Sequence, residues 1–221
     1  MAQVRVNNFS VSLDGYGAGP NQSEQDPVGV GGMRLHDWML GTRAFSELSG
    51  DDDTGGTGEG IDDLFVRYGD YRVGATIMGR NMFSPRRGPW SPRDPWRGWW
   101  GEDPPFRHPV FVLTHHPREP VEMANGTTFH FVTGGIYEAL ERAREATGDL
   151  DVRIGGGVAT IQQYLRAGLI DRLHLAIVPI LLGRGERLLD GFDTVPGYEC
   201  VAVSSAGTVA HVQLVRSTSE E

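Results

Sequence analysis

Apolar and polar residues alternate from the start of the chain. Val4, Val6, Phe9, Val11 and Leu13 predict an opening strand that ends at the turn-forming pair Asp14-Gly15. A Gly-, Pro- and Asn-rich stretch to about Gly32 predicts a loop. The period then lengthens: Leu35, Trp38, Met39 and Phe45 fall near one face of a helix expected over Met33 to Leu48. Ser49 to Gly60 is acidic, polar and glycine-rich, and reads as a flexible surface insertion within one domain spanning residues 1–221. Ile61 to Tyr68 predicts another helix, and Ala75 to Met78 a short buried strand closed by Gly79-Arg80.

Residues 84–109 are dense in Pro, Arg and Gly and carry Trp90, Trp96, Trp99 and Trp100. Strands are expected at Val110 to Thr114, Thr128 to Val132, Asp151 to Ile154 and Leu173 to Ile177. Helical spacing runs from Ile136 to Thr147, and again after Gly157, where Val158, Ile161, Leu165 and Leu169 form a stripe. Tyr198 to Ser205 and Val209 to Arg216 predict a hairpin around Ala206-Gly207. Strands alternating with helices, closed by an antiparallel pair, imply an α/β fold: a mixed, mostly parallel sheet with helices packed on it.

Composition narrows the function classes. The chain has 221 residues, 39% hydrophobic and 22% charged, with a net charge of −9. That acidity argues against a nucleic-acid partner, which needs clustered positive charge. No apolar run is long enough for a membrane span, and no secretory segment opens the chain, so a cytoplasmic location is expected. All 20 basic residues are Arg, which removes Schiff-base chemistry and a phosphate-binding lysine. The single cysteine, Cys200, lies in an alternating strand pattern and is expected to be a buried structural thiol. No metal site is expected.

Three strand ends carry candidate chemistry. In Ile154-Gly155-Gly156-Gly157-Val158-Ala159-Thr160 a strand runs through glycines into a helix start, where unpaired N–H groups suit a pyrophosphate; a tight structural turn is the alternative. Met78-Gly79-Arg80 places a guanidinium at a strand end, as a phosphate partner or as a plain surface residue. Thr114-His115-His116 follows another strand. Adjacent histidines on extended backbone face opposite ways, which speaks against metal and leaves a nucleotide contact or solvent exposure.

Taken together, Val11-Ser12-Leu13-Asp14-Gly15, Ile77-Met78-Gly79-Arg80, Val112-Leu113-Thr114 and Ile154-Gly155-Gly156-Gly157 resemble the dihydrofolate reductase-like superfamily. Gly168-Leu169-Ile170-Asp171-Arg172-Leu173-His174-Leu175, followed by Pro179 to Gly185, is similar to the reductase domain of the bifunctional riboflavin-biosynthesis deaminase–reductases. The resemblance implies a dihydrofolate-reductase-like, three-layer fold with helices on both sheet faces. It also implies NADPH as hydride donor, a pyrimidine- or pteridine-type heterocycle as substrate, and a homodimer. An aminouracil-type reduction is expected first, a dihydrofolate reductase-type activity or a non-catalytic nucleotide-binding role second.

By that resemblance Gly79 and Arg80 meet the adenosine phosphates, Thr114 and His115 lie beside the 2′-phosphate and adenine, and Gly155, Gly156, Gly157, Val158, Ala159 and Thr160 hold the pyrophosphate. Asp37, in the first long helix, is expected as proton relay or ring anchor, or else as a solvated helix residue. Asp14 and Trp38 are expected near substrate, although Asp14-Gly15 also reads as a simple turn. The zinc-deaminase pattern of Pro-Cys-x-x-Cys does not occur in this chain. The four tryptophans of 84–109 can either wall a flat pocket or form a structural cover.

Overall fold

The computed structural model describes residues 2–49, 60–91, 93, 96–193, 197–205 and 207–217. The heart of the acidic insertion, residues 50–59, lies outside them. The predicted parallel strands are present as β1 (Val4–Ser12), β3 (Val73–Gly79), β4 (Pro109–Leu113), β6 (Thr128–Val132), β7 (Asp151–Gly156) and β8 (Arg172–Val178). The hairpin forms as β10 (Tyr198–Ser205) and β11 (Ala210–Arg216). Three short strands escaped the sequence pattern: β2 (Tyr16–Ala18), β5 (Val121–Glu122) and β9 (Glu186–Arg187). They are two or three residues long, too short to show a period.

The main sheet has the order β10-β11-β8-β1-β7-β3-β4-β6-β5. Its six central strands are all parallel, while β11 runs antiparallel to β8, β10 to β11, and β5 to β6. Parallel strands need crossovers, and two of these supply one covering layer. Helix α5 (Gly135–Thr147) buries Ala139, Leu140 and Ala143, and α6 (Val158–Arg166) buries Val158, Ile161, Tyr164 and Leu165. Both pack on Val4, Val6, Ile77, Val152 and Ile154 in one cluster.

The opposite face is covered in two separate patches. At the β8–β11 side lie α1 (Asp37–Leu40), α2 (Arg43–Ser49) and α3 (Ile61–Gly69), whose Trp38, Ala44 and Val66 pack with Ala176, Val178 and Val209. At the β3–β4–β6 side the Trp-rich segment packs Trp90, Trp96 and Trp100 against Phe83, Phe106, Phe129 and Phe131. Helices on both faces were expected; the gap between the two patches was not.

The single helix expected over 33–48 is divided into a 3-10 turn (Gly32–Leu35), α1 and α2. Thr42 is the reason. Its hydroxyl donates to the Met39 carbonyl (2.7 Å) and accepts from the Phe45 N–H (3.2 Å), closing one helix and capping the next. The buried Asp63 adds a second cap by accepting from the Ala44 N–H at 2.7 Å.

Cys200 is exposed, not buried. Strand β10 is the sheet edge, and the helical layers stop short of it, so its Val201 and Val203 face solvent as well. In the native protein the thiol is expected to react fully and rapidly with a disulfide reagent such as Ellman's; slow or partial labelling without denaturant would contradict the exposed placement.

Candidate functional site

A cavity of about 980 Å³ occupies the gap between the two patches and opens at the carboxyl ends of the parallel strands. Strand alternation dictates what faces it. On β7, Val152 and Ile154 turn to the α5/α6 layer, so Arg153 and Gly155 face the cavity.

The three strand ends flagged by the sequence converge on this cavity. Gly79, Arg80, Thr114, His115 and all of Gly155 to Thr160 line it. Gly157 caps α6, whose nine residues run away from the cavity, and the carbonyl of Gly157 accepts from the N–H groups of Thr160 (3.0 Å) and Ile161 (3.1 Å). The N–H groups before Thr160 have no intrahelical acceptor, and the helix dipole adds partial positive charge. A Cβ built at Gly157 would meet nothing within 4 Å, so a side chain there would enter open cavity space. A Cβ at Gly79 would overlap the Thr160 hydroxyl, because the ends of β3 and β7 lie side by side. The Gly156–Gly157 peptide is cis, and Gly156 has a φ of 125°, a value that favours glycine.

Arg80 begins α4 (Arg80–Phe83). Its guanidinium stacks 3.1 Å over the Trp90 ring and donates to the Thr114 hydroxyl at 3.3 Å. Arg118 reaches the same ring at 4.7 Å. Among the described residues neither guanidinium has a carboxylate within ion-pair distance. Burial, and then the Arg118 charge, push the Arg80 pKa down to about 10. Two uncompensated arginines beside one indole make this corner strongly attractive to an anion. Thr114 itself is taken up locally, accepting also from the His116 N–H at 3.2 Å, while His115 is exposed at the rim.

The Trp-rich segment divides by role. Trp90 donates to the His116 carbonyl (2.9 Å) and Trp96 to the Phe83 carbonyl (2.7 Å), so both are pinned as cover. Trp99 and Trp100 line the cavity.

Three expected residues stand elsewhere. Asp37 is exposed and does not line the cavity; α1 is only four residues long, and its buried side chain is Trp38. Trp38 is a core residue, with Nε1 donating to Ser10 Oγ at 2.9 Å and its ring edge-on to His211. Asp14 acts as a clamp. It accepts from Ser12 Oγ (2.6 Å) and from the N–H groups of Leu182 (3.1 Å) and Gly183 (2.7 Å), tying the first turn to the segment after β8. The Ser12 hydroxyl, aided by those N–H groups, pulls its pKa down to about 2.

Residues that the sequence reading missed take their place. Six buried side-chain polar atoms lack a partner among the described residues, and five of them, on Asn8, Gln22, His36, Arg80 and Arg153, belong to residues lining this cavity. Unpaired buried polar groups are costly and rare, and most of those found here sit on residues of the cavity wall. His36 is the cavity residue of the segment where Asp37 was expected, and burial lowers its pKa, which favours the neutral imidazole.

The model of the RibD C-terminal domain family matches residues 4–212. Solved structures share the fold at low identity. A putative riboflavin biosynthesis protein from Shewanella sp. PV-4 is 21% identical, with a TM-score of 0.56, over 98% of this chain and 99% of that one. RibD of Acinetobacter baumannii is 18% identical with a TM-score of 0.56; 99% of this chain corresponds to only 59% of that protein. A pyrimidine reductase-like protein from Corynebacterium diphtheriae is 12% identical with a TM-score of 0.51, over 97% and 92% of the two chains. Among curated proteins none matches the sequence.

Proposed function

The chain belongs to the RibD C-terminal domain family, and from that premise we propose that it is an NADPH-dependent reductase of a pyrimidine-type heterocycle, most like the 5-amino-6-(5-phosphoribosylamino)uracil reductases. The observation that carries this reading is the meeting, on one rim, of the Gly155–Gly157 turn, the start of α6 and the Arg80 guanidinium.

These residues fit a dinucleotide. The N–H groups at the start of α6 would hold the pyrophosphate, with Gly157 leaving room for it. Arg80, supported by Arg118 and Trp90, would hold a phosphate on the adenosine side, beside Thr114 and His115, which favours NADP over NAD. The bound coenzyme supplies the hydride. The chain supplies alignment: Phe9, Trp99 and Trp100 give the inner cavity apolar walls that exclude water and hold a flat ring. Neither Asp37 nor Trp38 has a part in this arrangement. We place the protein in the cytoplasm as a homodimer, the ordinary setting for such a reductase.

Arg80→Ala should raise the Michaelis constant for NADPH by about tenfold or more, the size of one lost charge-assisted phosphate contact, and should affect NADH less. Steady-state oxidation of NADPH with an aminouracil substrate, followed by the loss of coenzyme absorbance, checks this. An unchanged constant would remove Arg80 from the site.

A further inference from the structure

The segment that Thr42 divides carries more apolar residues than the core takes up. Leu35, Trp38 and Ala44 are buried in the cluster on β8, with Met39 and Phe45 packed at its edge. Met33, Leu40 and Leu48 belong to none of the three core clusters. Phe45 and Leu48 lie one turn apart on the flank of α2 beside Ala44, so they share a face. Met33, Met39, Leu40, Phe45 and Leu48 all line the cavity. Met33 and Leu48 are 45% and 48% exposed, so this wall is open to a ligand. A lone exposed apolar side chain is ordinary, but five from one short stretch on one cavity form a patch suited to an apolar group.

The same stretch keeps its charges out of the cavity. Arg34, Asp37, Arg43 and Glu47 are exposed and do not line it. Glu47 pairs with Arg43 at 2.9 Å and with Arg67 of α3 at 2.8 Å. Its polar contributions to the cavity are Ser49 and His36, whose neutral form is favoured by burial. The arginines that line the cavity stand on other elements. Arg80 belongs to the coenzyme rim, Arg153 is paired with Asp70, and Arg87 is exposed on the Trp-rich side. A phosphate or a polyol laid against α1 and α2 would lose its water and gain no partner.

Building on the reductase reading, we propose that the Met33–Leu48 wall is a second subsite that takes an uncharged, apolar substituent of the substrate, so that the heterocycle reduced here carries an alkyl or aryl group in place of a sugar phosphate. The inference keeps the ring and changes what the ring carries. Two of the five side chains are methionines, whose unbranched thioethers adapt to groups of different shape and make favourable contacts with aromatic rings. The subsite therefore selects for apolar character more than for one outline.

Three probes test this, titrated calorimetrically into the full chain with saturating NADP⁺: 6-aminouracil, 6-(benzylamino)uracil and 6-(ribitylamino)uracil 5′-phosphate. The benzyl compound should bind at least about tenfold more tightly than either of the others, as expected for burying one aromatic ring. Its binding should also show the most negative heat-capacity change, the mark of apolar burial. Leu48→Gln should weaken the benzyl compound by about fivefold, part of the contact of one apolar side chain, and leave 6-aminouracil within about twofold. Leu64→Gln changes a residue equally exposed, on α3 and away from the cavity, and should alter neither. Should Leu48→Gln fail to fold, Met33→Gln, on the 3-10 turn, should show the same selective loss. A benzyl compound no tighter than 6-aminouracil, a phosphate bound as tightly as the benzyl compound, or equal effects of Leu48→Gln and Leu64→Gln would overturn the proposal. NADPH affinity in the same samples separates the two levels: its absence sinks the reductase reading, while its presence without a preference for the benzyl group sinks only this subsite.

Discussion

Replacing Gly79 with alanine is expected to weaken NADPH binding by ten- to a hundredfold, and replacing Thr160 with alanine in the same chain is expected to restore most of it. Gly79 ends β3 beside β7, and its missing Cβ is what allows the Thr160 hydroxyl to sit against the strand end. Alanine there forces either Thr160 and the first turn of α6, or the start of α4, to move. Overpacking of this kind costs about 1–3 kcal/mol, and its relief distorts the rim that would grip the phosphates. Removing the Thr160 side chain makes room without touching the backbone. The two substitutions share one contact and should be strongly non-additive. Dissociation constants for the four proteins, from quenching of tryptophan fluorescence, measure the coupling. A Gly79→Ala protein that binds as well as the parent, or a double variant no better than the single, would show that the close approach has no bearing on the coenzyme.

The second large effect concerns acid. His174 and His211 form a buried chain across β8 and β11: the Asn8 N–H donates to His174 Nδ1, the His174 and His211 rings meet at 3.0 Å, and His211 reaches Asp62 at 2.8 Å. Only one proton arrangement satisfies every link. His174 accepts at Nδ1 and donates from Nε2, and His211 accepts at Nδ1 and donates from Nε2 to the Asp62 carboxylate. Phe65 stacks on both rings, at 4.2 and 4.0 Å. Burial, and then the neighbouring His211, push the His174 pKa down to about 3. His108 is half-buried and bonded to the Thr76 hydroxyl at 2.8 Å; loss of solvent, and then the Arg153 charge, push its pKa down to about 4.

Unfolded histidines take up protons near pH 6.5, whereas these two stay neutral in the folded protein until the pH is far lower. The stability they confer is thus complete above about pH 6.5 and drains away as the pH falls toward 4. Each histidine contributes a slope of up to about 1.4 kcal/mol per pH unit, so the pair should cost several kcal/mol between pH 6.5 and 4.5. Urea unfolding midpoints should fall steeply across that interval, before most carboxylates titrate. A flat profile from pH 7 to 5 would contradict the neutral, buried assignment.

How much of this was legible follows from how local each signal is. The Gly155–Gly157 turn, Gly79-Arg80 and Thr114-His115 are short runs at strand ends, and the parallel topology brings such ends to one edge, so contiguous residues sufficed to find them. The helical stripes of α5 and α6 were equally plain, because a single buried face sets their period. Asn8 and Arg153 gave no such signal. Their place on the cavity wall depends on a register break in β1 and on which face of β7 lacks a covering helix, and neither is written in a neighbouring residue. Asp37 was expected on the strength of its position in a long helix. Thr42 divides that helix, and rotating the short α1 to bury Trp38 leaves Asp37 in solvent and His36 at the cavity. Asp14 lies in the expected turn, but its carboxylate is saturated by neighbouring Ser12 and by Leu182 and Gly183, which are remote in sequence.

Side-by-side titration of the intact chain with NADPH and NADH, monitored by tryptophan emission, puts the account to its most direct trial. The stacking of Arg80 on Trp90 and the two tryptophans on the cavity wall predict saturable quenching by NADPH at lower concentration than by NADH. No saturable change with either nucleotide, or equal affinity for both, would contradict it.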